Sequence, residues 1–143
     1  MEIFLQQIVN GLVLGSVYAL VALGYTMVYG IMGLINFAHG EVVMIGALVS
    51  ITVMQIFFAN APGLSPVLLV LAALAVAIPV CMALGYTIER VAYRPLRHAP
   101  RLAPLITAIG VSIVLQNLAM MIWGRGYISF PAIFPSTSYD IFG

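Results

Sequence analysis

The sequence predicts an all-α fold, a polytopic transmembrane helical bundle of about four spans with an irregular break near residues 30–40. Three observations lead there. Hydrophobic residues make up 64% of the chain and charged residues 6%, against roughly 25% charged in an average globular protein. The runs Ile3–Ala38 and Val42–Ile88 hold no charged side chain, so each is long enough to fill hydrocarbon about 30 Å thick. Glycine, proline and a few polar residues punctuate these runs at intervals that suit turns.

A spanning helix needs about 20 residues at 1.5 Å each. Ile3–Ala38 is too long for one upright span and too short for two. It reads as one helix over 5–29 followed by an irregular segment over 30–40 that carries Gly30, Gly33, Asn36 and Gly40. A second helix is expected over 41–59, and "NAPGLSP" at 60–66 is a turn by its Pro and Gly content. A third runs over 65–89 with a kink expected at Pro79. The fourth covers 103–123 and closes at "WGRG". The aromatic, proline-containing tail over 124–143 is expected to lie along the external interface, where aromatic side chains concentrate.

Orientation follows from the arginines. Arg90, Arg94, Arg97 and Arg101 fall within "ERVAYRPLRHAPR", and an excess of basic residues marks a cytoplasmic loop. Counting back across the spans places the 30–40 break toward the cytoplasm and the N-terminus outside. Contact with lipid phosphates accounts for this loop, and docking of a cytoplasmic partner is the sharper alternative. Pro95 and Pro100 interrupt any continuous helical stripe of the four arginines.

Several functions are excluded. All five basic residues are arginine, and a Walker A phosphate loop requires a lysine. A net charge of +1 without a basic stripe argues against nucleic-acid binding. The single Cys81 allows neither an internal disulfide nor a cysteine-based zinc cluster. The first residues, "MEIFLQQ", lack the positive region of a cleaved signal peptide and read as the start of a retained segment. The residues imply no cofactor.

Two features stand out within the apolar runs. Gly11 and Gly15 form a Gly-x-x-x-Gly pair, which lets helix backbones approach closely where lipid provides no hydrophobic drive. Helix packing is the plain reading; a small-residue wall along a solute path is the other. "INFAHGE" at 35–41 sets Asn36, His39, Gly40 and Glu41 together at the break. A carboxylate inside the bilayer costs at least about 2.5–3.5 kcal/mol on insertion scales, so it is expected to face protein or water. The structural account makes Asn36 a helix cap, Gly40 the bend and Glu41 a charge beside the positive helix end. The functional account has the same break line a translocation path, and a proton relay through His39 and Glu41 is a third option. "ALGYT" also occurs twice, at 22–26 and 83–87; a chance match of common membrane residues is the plain reading, and the trace of a repeated unit is the other.

The block "NGLVLGSVYALVALGYTMVYGIMGLINFAHGEVVMIGA" at 10–47 closely resembles the N-terminal part of LivH-type permeases. "ERVAYRPLR" at 89–97 and "LITAIGVSIVLQN" at 105–117 continue that resemblance in order. It implies an inner-membrane subunit of a bacterial ABC importer for branched-chain amino acids, with relatives that carry urea or short amides. The implied partners are a second permease subunit, two cytoplasmic ATPase subunits that hydrolyse the ATP, a periplasmic amino-acid-binding protein and membrane lipid. Permeases of this type are about twice as long and grip the ATPase through a loop in their second half, so the chain reads as an N-terminal portion. The rival from another class is a membrane scaffold subunit that moves nothing. An intramembrane enzyme lacks support: His39 and His98 fall in different segments, and no Ser–His or paired-Asp spacing occurs.

Overall fold

The computed structural model describes residues 2–133, and its regular elements are helical. Helix α1 covers Glu2–Met32, α2 His39–Asn60, α3 Pro66–Ile88 and α4 Leu102–Trp123. Between α3 and α4 the chain makes a π-helical turn, Glu89–Tyr93, and a 3-10 turn, Arg94–Leu96. Four helical stretches are long and apolar enough to cross a membrane. This is a multi-pass membrane protein. No strand occurs among the described residues.

Each boundary has a local cause. Helix α1 ends where Gly33 adopts φ +65° and its N–H donates to the Tyr29 carbonyl at 2.8 Å, a left-handed C-terminal stop that glycine makes without strain. The turn between α2 and α3 passes through Gly63 at φ +132°. Ser65 then caps α3, its hydroxyl accepting from the Leu68 N–H, with Pro66 in the first turn where its missing N–H costs nothing. Helix α3 remains a single α-helix through Pro79. Gly124, at φ +84°, closes α4.

The observed helices differ from the sequence expectation at their ends. Helix α1 runs three residues further at each side than 5–29, and the break shrinks to residues 33–38. At 1.5 Å per residue, 31 residues give about 46 Å, half as long again as the hydrocarbon layer, so α1 tilts or protrudes. The bend belongs to Gly33; Gly40, expected to supply it, is an ordinary helical residue in the first turn of α2. Both "ALGYT" copies lie near helix C-termini, in α1 and α3. In each, the threonine hydroxyl donates to the alanine carbonyl four residues back, at 2.6 and 2.7 Å. Residues 124–133 form no helix or strand, and the rest of the expected interfacial tail lies outside the described residues.

The packing is an α2–α3 hairpin with α4 alongside and α1 joined only at its C-terminal end. Small residues carry it. Leu69, Ala73 and Ala77 form the buried row of α3 at intervals of four, and Gly46 lies so close to α3 that an added Cβ would sit 2.8 Å from the Cys81 Sγ. Ala108, Leu115 and Ala119 are buried on α4. Ile88, Tyr93, Ala108 and Leu115 make a core under the break, with Met32, Val42 and Ile45 against it. Gly11 and Gly15, singled out by spacing, have nothing within 4 Å of a built Cβ. Close approach within the described residues uses Gly24, Gly40, Gly46 and the alanines. Gly46→Ala in the full permease is expected to lower stability by about 1–3 kcal/mol through overpacking. Adding Cys81→Ala should recover most of that loss. Thermal unfolding of the purified protein in detergent reads both.

Candidate functional site

The polar residues of the break diverge, each toward a different helix. The Asn36 side-chain oxygen accepts from the Ala38 N–H at 3.0 Å and from the Tyr93 hydroxyl. It therefore shapes the turn ahead of α2 and ties it to the π-helical segment. The N-cap position of α2 is Ala38, without a side-chain cap. The capping role expected of Asn36 is replaced by this two-way bond. Asn36 and Tyr93 border a cavity of only about 10 Å³, room for at most a single water.

His39 turns the other way. Its ring packs edge-on against Tyr25, with centroids 4.9 Å apart and planes at 69°, and lies over Gly24 so closely that any Cβ there would collide with Nε2. The Tyr25 hydroxyl accepts from the Gly40 N–H at 3.2 Å. This satisfies one of the amides that a helix start leaves without an intrahelical partner. His39, Gly40, Gly24 and Tyr25 thus form the clasp that holds the end of α1 to the start of α2. Among the described residues no hydrogen bond links His39 to Glu41.

Glu41 faces α4. Its Oε1 accepts from the Ser112 hydroxyl at 2.9 Å and from the Gln116 amide at 2.6 Å. It lies in the first turn of α2, where the positive end of the helix dipole favours a carboxylate. Residues 112 and 116 stand near the middle of the 22-residue α4. Glu41 therefore meets α4 about halfway along its length, far from the arginine segment.

Above Glu41 a cleft of about 440 Å³ opens between α2, α4 and residues 124–128. Glu41, Met44 and Leu48 line it from α2, and Gln116, Met120 and Trp123 from α4. At its far end the Trp123 indole donates to the Thr52 hydroxyl at 2.7 Å. The volume falls within the roughly 300–1,000 Å³ of small-molecule sites, and a few polar groups such as Glu41 and Gln116 among apolar walls are their usual composition.

The arginines behave differently from one another. Arg97 pairs with Glu89 at 2.7 Å, and Arg90 donates to the Tyr86 hydroxyl, its guanidinium 5.8 Å from the ring centroid. Arg94 and Arg101 are exposed. No group of three metal-ligating side chains occurs among the described residues. Reading the sequence missed Tyr93, Ser112, Gln116 and Trp123. Ser112 and Gln116 carried a signal, being polar at i and i+4 on one face of an apolar helix; nothing local marked Tyr93 as the partner of Asn36.

The family model for "Branched-chain amino acid transport system / permease component" matches residues 7–141. This chain belongs to that family. It is 55% identical over 136 residues to the high-affinity branched-chain amino acid transport system permease protein BraD of Pseudomonas aeruginosa, covering 92% of this chain and 43% of BraD. LivH, the correspondingly named permease protein of Salmonella typhimurium, is 52% identical over 131 residues, covering 92% of this chain and 42% of LivH. Escherichia coli K12 LivH is 51% identical over the same length. The chain thus spans less than half the length of these relatives. No solved structure matches.

The Asn36 node yields a stability prediction for the full permease. Tyr93→Phe removes one donor and should cost about 0.5–1.5 kcal/mol. Asn36→Leu strands both the Ala38 N–H and the Tyr93 hydroxyl in buried surroundings, at about 1–3 kcal/mol for each. Chemical unfolding in detergent should rank Asn36→Leu clearly below Tyr93→Phe; the opposite order would remove Asn36 from the centre of the node.

Proposed function

We propose that this chain supplies helices of a permease subunit in an inner-membrane ABC importer for branched-chain amino acids. It contributes one wall of the translocation path. The observation that carries this reading is the open cleft headed by Glu41 at a broken helix, in a member of this family. Broken helices at membrane depth are tolerated where they are buried in protein or line a water-filled cavity, and transporters use such breaks to present polar groups to a solute.

No covalent bond of the amino acid changes in this role, and the chain needs no cofactor of its own. A second permease subunit completes the path, two cytoplasmic ATPase subunits provide the driving force, and a periplasmic protein delivers the substrate. In this reading the N-terminus is periplasmic and the 90–101 segment cytoplasmic, with Arg94 and Arg101 free for lipid phosphates. Affinity in the path is low, since a carrier that holds its cargo tightly cannot release it.

The test is ATP-driven uptake of labelled leucine by the complete assembly in proteoliposomes. Wild type takes up leucine, isoleucine and valine. Glu41→Ala reduces uptake more than His39→Ala, because Glu41 borders the cleft whereas His39 is turned onto α1. Near-normal uptake by both variants would remove the break from the path, and an assembly that moves none of these amino acids would return the chain to a scaffold role.

A further inference from the structure

We infer that Glu41 is the recognition site for a substrate ammonium group, with the branched aliphatic body of the substrate lying along Met44, Leu48, Met120 and Trp123. This rests on the permease reading above. The argument begins with the carboxylate. An ionised carboxylate has about four lone-pair sites on its two oxygens. Both donors present, Ser112 and Gln116, are neutral and both bond Oε1. Among the described residues Oε2 accepts no hydrogen bond and Glu41 forms no ion pair, Arg97 being held by Glu89. Glu41 is half-buried at the edge of the open cleft, so its second oxygen is accessible, and a cation brought to it adds a charge-assisted hydrogen bond stronger than those of the neutral donors.

The shape of the cleft selects the kind of cation. Glu41, Met44 and Leu48 lie at i, i+3 and i+7, one face of α2 that runs about 10 Å from the carboxylate along the wall. Gln116, Met120 and Trp123 form the matching face of α4. The site is thus charged at one end and apolar along its length. A divalent metal requires more oxygen ligands than one carboxylate provides. A small primary ammonium compound with a branched hydrocarbon tail fits both ends. The Ser112 and Gln116 bonds fix Glu41 in place and make these two positioning residues. Met44 and Met120 supply adaptable apolar surface that accepts leucine, isoleucine or valine.

The experiment uses the complete assembly, carrying Met44→Cys in a permease otherwise free of cysteine, and follows alkylation of that thiol. Leucine and isoamylamine, which keeps the ammonium and the branched tail, should protect it; 4-methylpentanoate, which lacks the ammonium, should not. Adding Glu41→Gln should raise the half-protecting concentration of isoamylamine by about thirtyfold or more, while Glu41→Asp retains part of the protection. Equal protection by the amine and the acid would overturn the inference, as would protection indifferent to Glu41→Gln, or no protection by leucine. Leucine uptake by vesicles of the wild-type assembly separates the two levels: uptake with any of those outcomes sinks the ammonium site alone, whereas no uptake sinks the permease reading.

Discussion

The contact between Glu41 and the middle of α4 is the interaction on which the rest of this arrangement depends. A charged side chain in the first turn of α2 would otherwise face lipid, at a cost of several kcal/mol. Ser112 and Gln116 turn it inward, and in doing so they set the depth at which α2 begins relative to α4. The cleft follows from that stagger. Helices α2 and α4 touch at Glu41 below and at Thr52–Trp123 above, and the walls between carry Met44, Leu48 and Met120. Two polar contacts separated by apolar walls hold the gap open.

The break that delivers Glu41 to this position is over-determined. Gly33 reverses the chain, Asn36 bonds both forward to Ala38 and across to Tyr93, and Tyr25 takes the Gly40 N–H. Each bond satisfies a group that irregular backbone would leave without a partner in a membrane. The same logic places the small residues. Gly46 against Cys81, and Ala73 and Ala77 in α3, bring α2 and α3 close enough for the break to rest on Tyr93. Helix α1, by contrast, is anchored at its end through Gly24 and Tyr25 and presents Leu12, Val13 and Val17 outward along its length. The chain is therefore closely bonded around the break and exposed along its first helix.

Much of this was legible in the sequence. Uncharged runs of more than thirty residues cannot belong to a soluble fold of this size, and the Pro and Gly at 60–66 and Gly33 within 30–40 marked the turns. The break itself was legible because Asn36, His39 and Glu41 interrupt an otherwise apolar stretch. Their partners were not. Asn36 reaches Tyr93, 57 positions away, and Glu41 reaches Ser112 and Gln116, 71 and 75 away. Local spacing says nothing of pairs that only tertiary packing brings together. The Gly-x-x-x-Gly spacing of Gly11 and Gly15 meets no neighbour within the described residues, whereas Gly46 and the alanines that do pack carry no such motif. Gly40 was read as the bend because glycine permits one; its actual use is close approach, with a Cβ there 3.1 Å from the Tyr25 hydroxyl.

The most direct test of the central claim is a double-mutant cycle on Glu41→Ala and Gln116→Ala, read by reversible unfolding of the full permease in detergent. A hydrogen bond to a charged group contributes about 1.5–3 kcal/mol, so a coupling energy of that size is predicted between the two positions. Additivity within about 0.5 kcal/mol, the behaviour of independent sites, would contradict it and separate Glu41 from α4.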